Sequence, residues 1–145
     1  MRYSCGIIFY KDGQILLGHA TGQSHWDLPK GKTEDNETFI QAAVRECEEE
    51  IGFIASEDKL LLLGEVPYRK GKRLVLFFYT STEIPNEDNC TCNSTYINKY
   101  GQQKPEFDDF RYVPLTECTK YLTMRMCKSI CAAVELYKER NKNES

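Results

Sequence analysis

Long hydrophobic runs are missing from this 145-residue sequence. No stretch approaches the roughly 20 apolar residues that a helix needs to cross a bilayer. The opening MRYSCGIIFYKDG has too short an apolar stretch and no cleavage site for a secretory signal, so a cytoplasmic location and no membrane partner are expected. Histidine is scarce: His19 and His25 have no partner at ligand spacing, which assigns both to structural or solvent-facing roles. A large excess of one charge is missing too. With 19 basic against 22 acidic side chains the net charge is −3, so non-specific coating of nucleic acid is not expected, and a polyanionic substrate must be met locally or through a cation. No internal repeat is present.

Cysteine is abundant, but a disulfide framework is not apparent. The seven cysteines are odd in number and irregular in spacing, and Cys5, Cys47, Cys127 and Cys131 sit inside apolar patterns, which reads as buried reduced thiols. Cys90 and Cys92 in NCTCNST lack the second Cys pair or the His that a zinc site requires. The sequons at Asn89 and Asn93 have no meaning without a secretory route.

What is present fits one domain over residues 1–145, long enough to bury a substantial core. YSCGIIFY and QILLGHA read as strands joined at Lys11-Asp12-Gly13 in a hairpin. TGQSHWDLPKGKTEDN has no periodicity and reads as loop. From about Glu37 to Ile51, Ile40, Ala43, Val44, Cys47 and Ile51 recur at helical spacing, and Gly52 stands where a C-terminal cap belongs. KLLLLGEV and RLVLFFYTST read as central strands linked by a turn at PYRKGK, and the polar segment 83–103 reads as an exposed excursion or lid. FDDFRYVPL restores order. A short helix from Thr116 and a longer one with an apolar stripe through Met126, Ile130, Ala133, Val134 and Tyr137 complete the chain.

Residues 31–53, GKTEDNETFIQAAVRECEEEIGF, gather Glu46, Glu48, Glu49 and Glu50 beside a single Arg45. At about 100° per residue, Glu46, Glu49 and Glu50 share one face of the helix while Glu48 points elsewhere. The apolar stripe lies beside that face, so the helix can pack on a sheet and still present an acidic edge. A run of glutamates is ordinarily a solvated surface. Here the like charges destabilise the helix, only Arg45 offsets them, and they follow a loop containing Gly22, Pro29 and Gly31. A divalent cation would relieve the repulsion. Hard oxygen donors suit Mg²⁺ or Mn²⁺, ions that share their coordination with substrate phosphates.

The same residues carry a resemblance. Nudix hydrolases show a Gly, five residues, Glu, seven residues, Arg-Glu, an aliphatic residue, any residue, Glu-Glu, any residue, Gly and an aliphatic residue. Gly31, Glu37, Arg45, Glu46, Glu49, Glu50 and Gly52 meet every fixed position. Cys47 and Phe53 replace the aliphatic residues and are apolar enough for the same packing role. GQSHWDLPKGK and KPEFDDFRYVPL resemble further signatures of the dinucleoside polyphosphate hydrolases and bacterial RNA 5′-pyrophosphohydrolases of that family.

The resemblance implies an α+β fold, an αβα sandwich on a mixed sheet, and hydrolysis of a nucleoside diphosphate linked to another moiety by water attack at phosphorus. It implies metal ligation by Glu46, Glu49, Glu50 and the Gly31 carbonyl. Arg45 and Glu37 would orient the carboxylates, and Glu106 would be a further ligand or the base. Lys30, Lys32, Arg69, Lys70, Lys72 and Arg73 are candidates for phosphate contact, against the ordinary reading of solvated turns; Lys30 and Lys32 flank the motif glycine. Trp26, Tyr68 and Tyr112 are candidates for stacking a base, or core residues. The implied substrate is a dinucleoside polyphosphate such as diadenosine tetraphosphate, with the RNA 5′ end as the alternative. A non-catalytic nucleotide-binding module is the reading from another class, and the intact motif carboxylates oppose it.

Overall fold

The computed structural model describes residues 2–144. Along the chain come β1 (Arg2–Ile8), β2 (Tyr10–Lys11), β3 (Gln14–Ala20), β4 (Trp26–Asp27), β5 (Lys30–Lys32), α1 (Phe39–Ile51), β6 (Leu60–Arg69), β7 (Lys72–Tyr79), β8 (Thr95–Ile97), β9 (Gln103–Pro105), β10 (Phe107–Pro114) and α2 (Met124–Glu144). Short 3-10 turns occupy Glu57–Lys59, Glu87–Asn89 and Leu115–Lys120. No helix among the described residues is long and apolar enough to cross a membrane.

The main sheet has the order β5-β1-β7-β6 and is mixed: β1 runs parallel to β7 and antiparallel to β5, and β6 is antiparallel to β7. A second sheet places β3 between β10 and β2, with β4 also pairing β3. Side chains alternate across a strand. Ile8, Leu74, Leu76 and Phe78 therefore pack with Ile130 and Val134 of α2, while Cys5, Ile7, Val75 and Phe77 pack with Ala43, Cys47 and Ile51 of α1. The result is the α+β αβα sandwich that the resemblance implies.

The helix α1 begins at Phe39, two residues after the expected Glu37, because Thr38 caps it: the Gln41 amide donates to the Thr38 hydroxyl oxygen at 3.1 Å and the Thr38 amide to Gln41 Oε1 at 2.9 Å. Gly52 ends it with φ 75°, and its N–H donates to the Glu48 carbonyl at 3.0 Å.

Three expectations need correction. The hairpin exists, with Asp12 and Gly13 at φ 51° and 81°, but only β2 forms it with β3. The chain breaks at Phe9 and changes sheets, so β1 pairs with β5 and β7 instead. The supposed loop after β3 holds β4 and β5, too short to carry a period. Of the two strands read as central, β7 is central and β6 is an edge, which explains how it accommodates Pro67; β6 also extends through Tyr68 and Arg69, leaving the turn to Lys70 and Gly71. Segment 83–103 is largely exposed, as expected, but it is anchored: it supplies β8 and the first residue of β9, and Ile84, Cys90 and Cys92 pack against the α1 side of the core.

Candidate active site

The apolar face of α1 sets the orientation of its acids. Ala43, Cys47 and Ile51 are buried on the sheet, which turns Glu46 and Glu49 toward the rim of β5 and leaves Glu48 exposed. These carboxylates lie in the C-terminal half of a helix whose last turn has no basic residue, the end where the helix dipole disfavours negative charge. Arg45 is the offset. Its Nε and Nη2 donate to the two Glu37 oxygens at 2.7 and 3.0 Å, Nη1 donates to Glu46 at 2.7 Å and more loosely to Glu49 at 3.4 Å, and Nη2 also reaches the Lys32 carbonyl at 2.8 Å. The guanidinium holds the Glu37 carboxyl below its ordinary range.

Glu46, Glu49 and Glu106 line one cavity of about 340 Å³, shared with Lys30, Lys32, Arg69 and Lys72, and with Gly31, Ser4, Tyr68 and Ser94. The chain thus brings Glu106, at the entry to β10, to the acidic edge of α1. Gly31 admits no side chain here: a Cβ would fall within 2.0 Å of the Glu46 carboxylate. Glu50 is 3% exposed and accepts a hydrogen bond from the Lys30 N–H at 2.8 Å. Burial pushes its carboxyl up to about 8 despite the opposing pull of Lys30. Burial also raises Glu46, with Arg45 opposing and Glu49 and Glu106 adding to the rise.

The expected single acidic face is therefore divided. Glu46 and Glu49 are drawn to Arg45, whereas Glu50 lines an adjoining cavity of about 210 Å³ with Lys30 and Glu106. Among the described residues no three His, Cys, Asp or Glu side chains converge at metal-binding separation. The donor chemistry nevertheless fits a hard dication: carboxylates raised by burial and mutual repulsion, with Gly31 letting the Glu46 carboxylate lie directly against the β5 backbone.

The substrate-contact candidates separate in space. Lys30 bridges the two acidic cavities; its Nζ lies 3.2 Å from Asp27 and 5.0 Å from the Tyr68 ring centroid. Burial acts to lower its pKa, but Asp27 and Tyr68 outweigh that and raise it. Tyr68 and Arg69 form a shared wall with a further cavity of about 390 Å³, where Trp26 is found. Trp26 is half-buried, with the Arg111 guanidinium 4.9 Å from its ring and Tyr121 against its edge. Tyr112 is remote, its hydroxyl donating to the Pro85 carbonyl at 2.6 Å.

Arg73 is a correction. It lines none of these cavities and instead donates to Glu65 at 2.8 Å, because on β7 it faces opposite to Lys72. Asp27, Ser4 and Ser94 are among the residues of the site that escaped sequence reasoning. Asp27 could have been found as an acid set between the apolar Trp26 and Leu28, whereas Ser94 lies in the polar segment 83–103 and carries no local signal.

Comparison with known proteins supplies the family. A model of the NUDIX domain matches residues 2–129. An uncharacterized 17.7 kDa protein from the e-segB intergenic region of Enterobacteria phage T4 is 40% identical over 128 residues, covering 79% of this chain and 83% of that protein. An RNA pyrophosphohydrolase of Pasteurella multocida is 30% identical over 120 residues, with 77% of this chain spanning 61% of the relative's length. A crystal structure of a C. elegans Ap4A hydrolase binary complex superposes with a TM-score of 0.66 at 20% identity, covering 96% of this chain and 98% of that one, and so shares the fold. With the family match running over most of its length and the seven motif positions filled, this chain belongs to the Nudix family and is a Nudix hydrolase.

Proposed function

We propose that this enzyme is a divalent-metal-dependent pyrophosphohydrolase that cuts the polyphosphate chain of a dinucleoside polyphosphate such as diadenosine tetraphosphate. One observation carries the reading: Glu46, Glu49 and Glu106 share a cavity with Lys30, Lys32, Arg69 and Lys72. Cations lining the cavity suit a chain of phosphates, and the carboxylates lining it suit the ion that accompanies one. The adjoining cavity with Tyr68 and Trp26 offers aromatic surface for a nucleoside.

Glu46, Glu49, Glu50 and the Gly31 carbonyl would hold Mg²⁺, or Mn²⁺ in its place. When bound, such an ion neutralises pyrophosphate charge and lowers the pKa of a coordinated water. Arg45, clamped by Glu37, orients Glu46 and Glu49. Lys30 and Lys32 hold phosphate oxygens. Glu106 takes the proton of the attacking water or completes the ligand set. The buried Cys5, Cys47, Cys118 and Cys127 suit a reducing compartment such as the cytoplasm.

The RNA 5′ end is kept as a second substrate reading, because relatives near 30% identity are RNA pyrophosphohydrolases and the cations lining the cavity suit either polyphosphate chain. The test is hydrolysis by purified protein with Mg²⁺ of dinucleoside polyphosphates, nucleotide sugars, ADP-ribose and 5′-triphosphorylated RNA. Fastest turnover of diadenosine tetraphosphate, abolished by EDTA and restored by Mg²⁺, is expected. Preference for the RNA installs the second reading, hydrolysis of a nucleotide sugar alone overturns both, and binding without any turnover marks a nucleotide-binding module.

A further inference from the structure

The proposed catalytic carboxylates Glu49 and Glu106 come from distant parts of the chain, yet their backbones are hydrogen-bonded to one residue, Ser94. Helix α1 ends with carbonyls that have no partner within the helix. The Asn93 and Ser94 N–H groups donate to the Glu49 carbonyl at 2.7 and 3.0 Å, and the Thr91 N–H donates to the Ile51 carbonyl at 3.0 Å. The Ser94 carbonyl then accepts the Glu106 N–H at 2.9 Å, and the Glu106 carbonyl accepts the Thr21 N–H at 3.0 Å. Both backbone groups of Glu106 are thereby held, while its side chain lines the cavity.

Cys92 closes this arrangement. Its Sγ accepts the Phe107 N–H at 3.4 Å and its thiol donates to the Ser94 carbonyl at 3.3 Å. It thus joins the residue after Glu106 to the carbonyl that holds Glu106. The Phe107 ring is pinned in turn, 5% exposed and stacked so closely on Gly18 that a Cβ there would lie 2.4 Å from it. The nearby Cys90 makes no such link, its thiol reaching only the Asn86 carbonyl at 3.4 Å.

We propose that residues 91–94 are a positioning strap that sets Glu106 against Glu49, with the Cys92 thiol as its lock. The inference rests on the catalytic roles proposed above for those two carboxylates. A displacement of about 1 Å in a positioned group can lower a rate by about 10²-fold, so loosening one lock should show in kcat. Cys92 is a positioning residue and takes no part in covalent chemistry.

The experiment is steady-state kinetics with Mg²⁺ on diadenosine tetraphosphate or 5′-triphosphorylated RNA, whichever is cut faster, with the thermal midpoint of each variant recorded. Cys92→Ala should lower kcat on the order of 10-fold and change KM less than about 2-fold. Cys92→Ser, which removes the sulfur but keeps a donor and an acceptor, should recover most of that loss. Cys90→Ala should keep the wild-type kcat. In a Glu106→Gln background, Cys92→Ala should add little, since both act on the same group.

Equal kcat losses in Cys92→Ala and Cys92→Ser, or a further full loss in the Glu106→Gln background, would assign Cys92 to packing alone and overturn the strap. If Cys92→Ala does not fold, Cys92→Val answers the same question, because it keeps apolar volume without a donor. A slow Glu106→Gln beside a wild-type Cys92→Ala overturns the strap alone. A near-wild-type Glu106→Gln instead removes Glu106 from the chemistry, and the proposed mechanism falls first.

Discussion

The two helices that sandwich the sheet obey different rules. Helix α2 buries Met126, Cys127, Ile130, Ala133 and Val134 along one stripe and faces outward with exchangeable charges such as Glu135 and Lys138, 3.7 Å apart. Its buried stripe serves packing. Helix α1 also has a buried stripe and a capped start, but it crowds carboxylates into the end where the dipole disfavours them and buries Glu50 at 3% exposure. It then depends on groups from elsewhere: Glu37 and the Lys32 carbonyl for Arg45, the Lys30 N–H for Glu50, and the Thr91, Asn93 and Ser94 amides for its last carbonyls. A segment that breaks local rules and recruits distant partners to compensate marks the functional site.

Substitutions should break the comparison in opposite ways on the two helices. The largest effect is expected from Glu49→Gln, which removes a proposed ligand charge without changing volume. Turnover should be abolished while the thermal midpoint holds or rises, since one source of repulsion is lost. A near-wild-type rate at saturating Mg²⁺ would return Glu49 to the status of a surface acid. Next comes Glu106→Gln, expected to lower kcat on the order of 10²-fold with a much smaller change in KM, because its group acts mainly in the transition state. Asp109→Asn is the control. Its carboxylate accepts the Phe110 N–H and lies 3.6 Å from Arg111, so only a small effect is expected.

On α2 the sign of the experiment reverses. Ile130→Ala should destabilise by about 2–5 kcal/mol, read from denaturant unfolding, because a fully buried side chain leaves a cavity. The rate per folded molecule should stay unchanged; a selective loss of kcat would show that α2 reaches the chemistry. The smallest effect is expected from Cys47→Val, on the buried stripe of α1 but chemically idle. Activity should persist, with a midpoint shift set only by the added methyl group in a tight core. An inactive but folded Cys47→Val would mean that the packing face of α1 is not separable from its acidic one.

Much of this was legible in residues because the informative signals were local. The period of Ala43, Cys47 and Ile51 placed α1, and Gly52 ended it at a φ of 75° that other residues resist. Alternation failed in β7, where Leu74 through Tyr79 are buried without interruption, since both faces of a central strand are covered. Its neighbour β6 looked equally apolar, and nothing in LLLLGEV announced an edge. The strands β4 and β5 are too short to show a period at all.

By itself the sequence determined the Glu-rich helix and the spacing of its acids, because helical geometry dictates which side chains are neighbours within one short stretch, and the family motif in that stretch implied the pairing of Arg45 with Glu37, which precedes the helix. Tertiary structure alone decided that Glu46 and Glu49 turn to Arg45 while Glu50 is buried against the Lys30 backbone, that Arg73 faces Glu65 and away from the site, and that the polar segment 83–103 straps Glu106 to α1. These are contacts made by backbone amides and by the choice of sheet face. A backbone N–H is the same at nearly every residue, so no residue type could have signalled which one would meet the Glu49 carbonyl.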